Sequence, residues 1–409
     1  MEFDPAPAND ARPLDGIRVL TLENFVAGPL ASMLLADWGA DVVKIEPPGG
    51  DAYRSFPPVL SNEAGETSVS FVRLNRGKRS VVLELSAEEG RADFLRLVAE
   101  ADVVVQNLRP GTLTKLGIGY EELTKTNPKI ILVSISGFGQ PDVLPGPYTA
   151  MPAFDLIGQA MSGLTYTTGR EGDRPAPIGL PLIDTTVADW AATAVLLALF
   201  RRERTGLGQH LDVAMYDVAI HLNEYGIGAY GWSGKPPRRG RLATSAPFEL
   251  LTASDGYVAI AVSGQPIWDR FCETIGRADL VDDPRFADGT LRSQAMEEVL
   301  LPVIEEWTSR RTVEEILSAM SSAGVPASPV QTLADLFACP QIDARDMIVT
   351  VPDPVLGDVS VAGNPIKSRE NPRLETRAAP QLGADSADVF REWLATGQTA
   401  KKGAHDAAH

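Results

Sequence analysis

Carboxylates, backbone amides or a bound cofactor, rather than histidines, must carry whatever chemistry this chain performs. Its 409 residues include four histidines, and two of them, His405 and His409, fall in the polar end "TAKKGAHDAAH". His210 and His221 are too few to build a Ser-His-Asp triad or a histidine metal site. Cys272 and Cys339 have no metal-ligand spacing and form no disulfide framework. No metal site is expected. Among the carboxylates Asp184 is singular. In "IGLPLIDTTVADWAATAVLLALF" (178–200) it follows Pro181-Leu182-Ile183, and from Val187 to Phe200 the only other charge is Asp189. One reading is structural: Asp184 as the N-cap of a buried apolar helix, accepting bonds from the first-turn amides. The capping box is missing, because Val187 stands where Glu or Gln would be. The other reading is chemical. A helix N-terminus keeps a carboxylate ionised and so available as a nucleophile. Local sequence leaves both open.

Basic groups supply the complementary signal. Arg73, Arg76, Lys78 and Arg79 crowd "RLNRGKRSVVLEL" just before one apolar run, and "QNLRPGTLTKLG" sets Asn107, Arg109 and Lys115 just after another. In doubly wound folds ligands bind at strand ends, and cations there suit phosphates. Net charge is −17, so these clusters run against the background and point to an anionic cofactor or substrate. A third run, "PRRGR" (237–241), sits in a Pro/Gly-rich stretch and reads as a solvated linker.

These groups need elements to hold them. "IRVLTLE" (17–23), "DVVKIE" (41–46), "RSVVLEL" (79–85), "DVVVQNL" (102–108) and "KIILVSISGFG" (129–139) read as strands. "GPLASMLLADWGA" (28–40), "SAEEGRADFLRLVAEA" (86–101, capped by Ser86) and "EELTKTNP" (121–128) read as the helices between them. Strands that are apolar without alternation, each followed by a helix, predict a parallel sheet covered on both faces. The pattern changes after about residue 225. "FELLTASDGYVAIAV" (248–262) reads as an antiparallel pair, three amphipathic helices follow, and "MIVTVPDPVLGDVSVAG" (347–363) is another pair. The expected organisation is a Rossmann-like large domain over 14–225, a smaller α+β domain over 226–330, and a return to the large domain over 331–385. Residues 1–13 and 396–409 are expected as disordered tails.

Several classes fall away. Glu46 ends the second strand, where a dinucleotide enzyme holds ribose. The first strand, however, is followed by "ENFVAGPL", with one glycine in place of G-x-G-x-x-G, so a nicotinamide enzyme is not expected. The acidic balance argues against nucleic-acid and anionic-membrane partners. The polar, Pro-rich start "MEFDPAPANDARP" is no signal peptide, and a cytoplasmic setting is expected.

Taken together, "PLDGIRVLTLENFVAGPLASMLLADWGADVVKIEPPGGD", "NRGKRSVVLEL", "DVVVQNLRPGTLTKLGIGYEEL", "GFGQ", "AFDLIGQAMSGLTYTTG", the helix opened by Asp184, "RRERTGLGQHLDVAMYDV" and "FELLTASDGYVAIAV" occur in one order. This order resembles the family III CoA-transferases, the group that includes formyl-CoA:oxalate and carnitine CoA-transferases. The resemblance covers roughly residues 13 to 375. It implies transfer of CoA from an acyl-CoA, with succinyl-CoA one possible donor, to a small carboxylic acid. CoA acts there as a substrate, and no permanently bound cofactor is implied. Asp184 matches the catalytic aspartate, which forms an acyl anhydride and then an aspartyl-CoA thioester. Phe25, Val26 and Ala27 match the turn near the pantetheine arm. Lys78 and Arg79 match basic cofactor contacts. Asn107, Leu108 and Lys115 match the loop bordering the cofactor, and Met215 a position near the thioester. An interlocked homodimer is implied, with 226–247 and 325–346 as connections. Departures occur at Val26, where formyl-CoA transferase has glutamine, at Pro47, where it has arginine, and in "AVSGQP", where Gly264 stands in place of a longer glycine loop. They argue against formyl-CoA:oxalate specificity. The same fold also serves α-methylacyl-CoA racemases, in which a histidine precedes the aspartate matching Asp155; here that position is Phe154. A non-catalytic CoA-binding protein is the alternative of another class.

Overall fold

The computed structural model describes residues 12–63, 65–240, 243–370 and 373–395. Nearly all of both expected tails lies outside these, as do His405, His409 and Arg241 of the basic run. The described chain divides into two compact units, the first comprising residues 12–162, 178–222 and 340–395, the second 163–177 and 223–339.

In the first unit the chain runs β1 (Arg18–Leu22), α1 (Ala27–Asp37), β2 (Asp41–Glu46), the hairpin β3 (Val59–Asn62) and β4 (Gly65–Ser68), α2 (Val69–Asn75), β5 (Arg79–Val82), α3 (Glu88–Val98), β6 (Val103–Gln106), α4 (Thr112–Lys115), α5 (Tyr120–Thr126), β7 (Ile131–Ser136) and α6 (Asp155–Met161). After α7 (Leu164–Thr167), which belongs to the second unit, it returns through α8 (Leu182–Thr205), β8 (His210–Ala214) and α9 (Met215–Leu222). Six strands pair in parallel in the order β5-β2-β1-β6-β7-β8. Burial explains the pairing: β6 (VVVQ) and β7 (ILVSIS) are buried along their whole length, as strands covered on both faces must be. β8 is the exception. It reads "HLDVA", is half-buried at the sheet edge, and carries no apolar run to announce it.

The start of α3 differs from expectation. Ser86 donates its hydroxyl to Glu84 (2.6 Å), so it does not cap, and the helix opens two residues later. α8 is the long apolar helix. Ile183, Val187, Ala188, Ala191, Ala194, Val195 and Ala198 form its buried stripe, and it packs on α1 and β7. By length and composition it could cross a membrane; its small-residue stripe is instead spent on close helix packing within this unit. Residues 386–395 form a helix whose Val389 and Trp393 join the core beside β1 and β2, with the Trp393 indole donating to Asp41 (2.7 Å).

The second unit holds α7, then α10 (Glu224–Ser233), then an antiparallel sheet of β9 (Phe248–Thr252), β10 (Tyr257–Ala261) and β11 (Ala327–Pro329), in the order β11-β10-β9. Helices Gln265–Thr274, Leu301–Thr308 and Val313–Ser322 supply its core around Trp268, Phe271, Met296, Ile304 and Ile316. The hairpin β12 (Ile348–Asp353) and β13 (Gly357–Ala362) belongs to the first unit, and its Val351, Val359 and Val361 pack with Val26, Tyr53 and Phe71.

Candidate functional site

Sheet order dictates where a ligand fits. β1 passes the chain one way to β2 and β5, whereas β6, β7 and β8 lie on its other side. The switch point therefore falls between the carboxyl ends of β1 and β6, where the two following turns diverge and leave a crevice.

The turn after β1 is held in a special shape. Phe25 has φ +63°, in the left-handed region that non-glycine residues seldom adopt, at a cost on the order of 1 kcal/mol or more. Asn107, just past β6, holds the turn. Its Oδ1 accepts from the Asn24 amide (2.8 Å) and its Nδ2 donates to the Asn24 carbonyl (2.7 Å). Gly28 lets the two turns approach, since a Cβ there would lie 2.8 Å from Glu23 Cβ and 3.0 Å from Asn107 Cγ. α1 starts with no side-chain cap, so its first amides are free of side-chain partners.

A cavity of about 310 Å³ opens at this crevice. Phe25, Val26 and Ala27 line it from the first turn, Asn107, Leu108 and Arg109 from the second, and Ser136 and Gly137 from the end of β7. Phe154 before α6, Asp184 in the first turn of α8 and Met215 at the start of α9 complete it. Phe154 and Phe25 meet edge-on, with ring centres 5.9 Å apart. Asp184 is the one carboxylate among the described lining residues.

Asp184 is not the N-cap that the sequence suggests. α8 begins at Leu182, its cap residue is Pro181, which contributes no side-chain bond, and Asp184 is the third helical residue. The capping carboxylate comes from another helix. Asp155 Oδ1 accepts from the amides of Ile183 (2.6 Å) and Asp184 (3.1 Å), and its Oδ2 accepts from Gln159 (2.5 Å). The amides that would have favoured an ionised Asp184 are thus spent on its neighbour. Burial, and then the negative charge of Asp155, push the Asp184 carboxyl up to about 7.

Lys78 and Arg79 do not line this cavity. The Lys78 ammonium is buried and its three protons are taken, by Glu23 (2.7 Å), the Pro29 carbonyl (2.8 Å) and Asn75 (2.9 Å). Burial lowers it to about 8, against the pull of Glu23. Arg79 pairs with Asp41 (2.5 Å) and Glu392 (2.7 Å). Lys115 is exposed at the end of α4, outside the lining. Gly264, with φ +84°, opens helix Gln265–Thr274 in the second unit. Glu46 accepts a bidentate pair from Arg54 (2.7 and 2.8 Å) and the Ser80 hydroxyl (2.7 Å); it is a scaffold residue. Lys44, between Asp51 (2.8 Å) and the Glu23 carbonyl (3.0 Å), completes a buried ionic network beneath the first turn.

Two contributors have roles that the sequence does not announce. Asp155 acts across 29 residues, and no local pattern marks a cap supplied from another helix. Tyr53, in a 3₁₀ turn after β2, packs edge-on against Phe25 (5.6 Å). Arg109, one of the strand-end cations that the sequence marks, lines the cavity one residue past Leu108.

Comparison with known proteins adds the following. The family model for CoA-transferase family III matches residues 14–386. The chain is similar to the succinyl-CoA:mesaconate CoA-transferase of Haloarcula hispanica, 40% identical over 383 residues, covering 93% of this chain and 96% of that protein. It is also similar to the succinyl-CoA–D-citramalate CoA-transferase of Chloroflexus aurantiacus, 36% identical over 387 residues and 94% of each chain. Among solved structures, a CAIB/BAIF family protein from Brucella suis superimposes with a TM-score of 0.81 at 35% identity, covering 94% of this chain and 100% of that one.

Proposed function

The chain belongs to CoA-transferase family III, and from that premise we propose that it carries CoA from succinyl-CoA to a second small carboxylic acid, with Asp184 as the covalent carrier. One observation carries this reading: a single carboxylate, Asp184, stands among the described residues lining a cavity at the switch point of the sheet. The donor is taken from the relatives, whose names specify succinyl-CoA.

The steps balance as two mirror halves. An ionised Asp184 oxygen attacks the thioester carbonyl, the C–S bond breaks, and CoA leaves as thiolate, giving an acyl-aspartyl anhydride. The thiolate then attacks the aspartyl carbonyl, freeing the donor acid as its carboxylate and leaving an aspartyl-CoA thioester. The acceptor carboxylate attacks that thioester and displaces the thiolate. The thiolate finally attacks the acceptor's own carbonyl, releasing the new acyl-CoA and regenerating the Asp184 carboxylate. This is nucleophilic catalysis by a carboxylate.

The site's physics suits these steps. A carboxyl raised to about 7 is more basic, and so more nucleophilic once ionised, than an ordinary aspartate, yet a large share is ionised at neutral pH. Phe25, Phe154, Val26 and Met215 form an apolar wall that keeps water from the anhydride. The uncapped start of α1, with Val26 and Ala27 in the wall, offers amides and a positive helix end to the developing oxyanion. CoA enters and leaves as substrate, and the reaction calls for no resident cofactor. We place it in the cytoplasm, where the buried, unbridged Cys272 suits a reducing medium.

We propose further that the active form is the interlocked homodimer. α8 has a second apolar face, with Leu196, Leu197 and Phe200 roughly half or more exposed, and in the second unit α10 exposes Tyr230 and Trp232. Apolar surface of this kind on two long helices calls for a partner. Sedimentation over a wide dilution series should show a dimer with no folded monomer, since an interlocked pair separates only by unfolding. The catalytic reading is tested by Asp184→Asn, which should lower turnover by on the order of 10³-fold or more, while isotopic exchange of free CoA into succinyl-CoA, present in the wild type, disappears.

A further inference from the structure

The carboxylate that meets α8 beside Asp184 is itself held in place. Gln159, one turn after Asp155 on α6, is buried. Its Oε1 accepts from the Ile178 amide (2.9 Å). A backbone amide only donates, so the side-chain nitrogen of Gln159 must face the other way. There it donates to Asp155 Oδ2 (2.5 Å) and to the Leu180 carbonyl (3.3 Å). Both Asp155 oxygens are then occupied, since Oδ1 accepts from the Ile183 and Asp184 amides (2.6 and 3.1 Å). Gly158 lets α6 and α8 close on each other: a Cβ there would lie 3.2 Å from Ile183 Cγ2.

Two carboxylates on adjoining helices repel each other. Asp155 is only half-buried, and an untethered carboxylate in its place would turn toward water. Gln159 opposes that turn, because swinging Asp155 outward leaves a buried amide N–H without its acceptor. The other elements packed on α8 hold their charged groups elsewhere. α1 brings only Asp37, paired with Arg76 (2.7 Å), and β7 brings no titratable group. β8 brings His210 and Asp212, engaged with the Ser134 hydroxyl (2.8 Å) and the Gln140 amide (2.7 Å). α9 brings Tyr216, Asp217 and His221, with His221 edge-on to Trp190 (5.1 Å). Asp189, five residues along α8, is rotated about 140° around its axis. Arg109 lines the cavity, and Tyr53, behind Phe25, stays neutral because burial raises its phenol. Among these groups only Asp155 bonds the amides of Ile183 and Asp184.

We infer that Gln159 is a positioning residue for CoA transfer: by bracing Asp155 against the first turn of α8 it keeps the Asp184 carboxylate opposed by a like charge, and acylation of Asp184 releases that opposition. The inference rests on Asp184 being the acyl carrier. As an acyl anhydride Asp184 is neutral, so a repulsion present in the free enzyme is absent from the intermediate. A carboxylate opposed in this way is more basic, and the gain is realised in the step that forms the anhydride. Without the brace Asp155 turns away from α8, and Asp184 relaxes toward an ordinary carboxylate.

Gln159→Met keeps the volume of the side chain and removes its donor. The midpoint in the pH dependence of kcat/KM for acylation by succinyl-CoA should fall by at least about half a pH unit. Above that midpoint kcat for exchange of free CoA into succinyl-CoA should drop by roughly three- to tenfold, with KM little changed. Gln159→Glu should retain the wild-type midpoint, because the new carboxyl and Asp155 share one proton and one charge between them. In an Asp155→Asn background Gln159→Met should move the midpoint no further, since the brace then has no charge to hold. Gln159→Asn, one methylene too short to reach both Asp155 and Ile178, gives the same reading if Gln159→Met does not fold. A midpoint within about 0.2 units of wild type in the folded variant, with Asp184 still acylated by intact mass, overturns the inference alone. An equal shift with and without Asp155→Asn overturns it as well. Absence of any acyl group on wild-type Asp184 after succinyl-CoA overturns the carrier assignment, and the inference with it.

Discussion

Two carboxylates of the first unit face the same penalty and end in opposite states. Glu23 is buried beneath the turn after β1, and Asp184 is largely enclosed above it, where burial disfavours the charged form of both. At Glu23 the charges of Lys78 and Lys44, with hydrogen bonds from Lys78 and Ser32, overcome burial and hold the carboxyl below its ordinary range. At Asp184 the nearest charge is the Asp155 carboxylate, which adds to burial and raises the carboxyl to about 7. The difference is the sign of the neighbours. Compensated charges anchor the turn that shapes the cavity, while the uncompensated one retains basicity that a thioester can draw on.

That contrast can be broken at either end. The largest effect should come from Lys78→Met, which leaves Glu23 buried with only Lys44 at 3.5 Å. We expect a loss of about 3–5 kcal/mol, read by urea or thermal unfolding. Near-native stability with weakened CoA binding would return Lys78 to the cofactor role its sequence context suggests. At the other end, Asp184→Asn should stabilise the free protein at pH 8 by about 1–3 kcal/mol, the full shift being discounted for partial exposure. The sign follows from the raised pKa. Between the unfolded value near 3.8 and the folded value near 7 the native state holds the proton that the unfolded chain has released. Wild-type stability therefore falls as pH rises through that window. The difference between the two proteins should grow from pH 4 to pH 7 and then level.

Smaller changes sharpen the comparison. Asp155→Asn keeps an oxygen to accept from the Ile183 and Asp184 amides and removes the charge. The midpoint in the pH dependence of kcat/KM for acylation should move below 7 but stay above 3.8, since burial, the larger cause, remains. An unmoved midpoint would separate Asp155 from the electrostatics of the site. The smallest expected effect is none: 2-methylacyl-CoA incubated in deuterated water should gain no deuterium at its α-carbon. Phe154, in the position where the racemase branch has its histidine, carries no proton.

The sheet was legible because its central strands are apolar runs separated by helices, and burial on both faces leaves few other solutions. β8 was not, since an edge strand that is only half-buried need not be apolar. The cavity was legible where its residues follow strands directly, as at Phe25–Ala27 and Asn107–Leu108. Burial and partnership were not. Lys78 and Arg79 look like free cations in sequence, because Glu23, Asp41 and Glu392 meet them only in the folded sheet. Asp184 could be singled out by its apolar setting. That its cap belongs to Asp155, and that its charge is opposed rather than supported, required the packing of α6 on α8.

The account stands or falls on where the acyl group goes. Wild-type protein incubated with succinyl-CoA alone, quenched with hydroxylamine or borohydride and digested, should carry its modification on the peptide containing Asp184, and Asp184→Asn should carry none. Modification at a different residue, or normal turnover by Asp184→Asn, would contradict the assignment of this carboxylate as the covalent carrier.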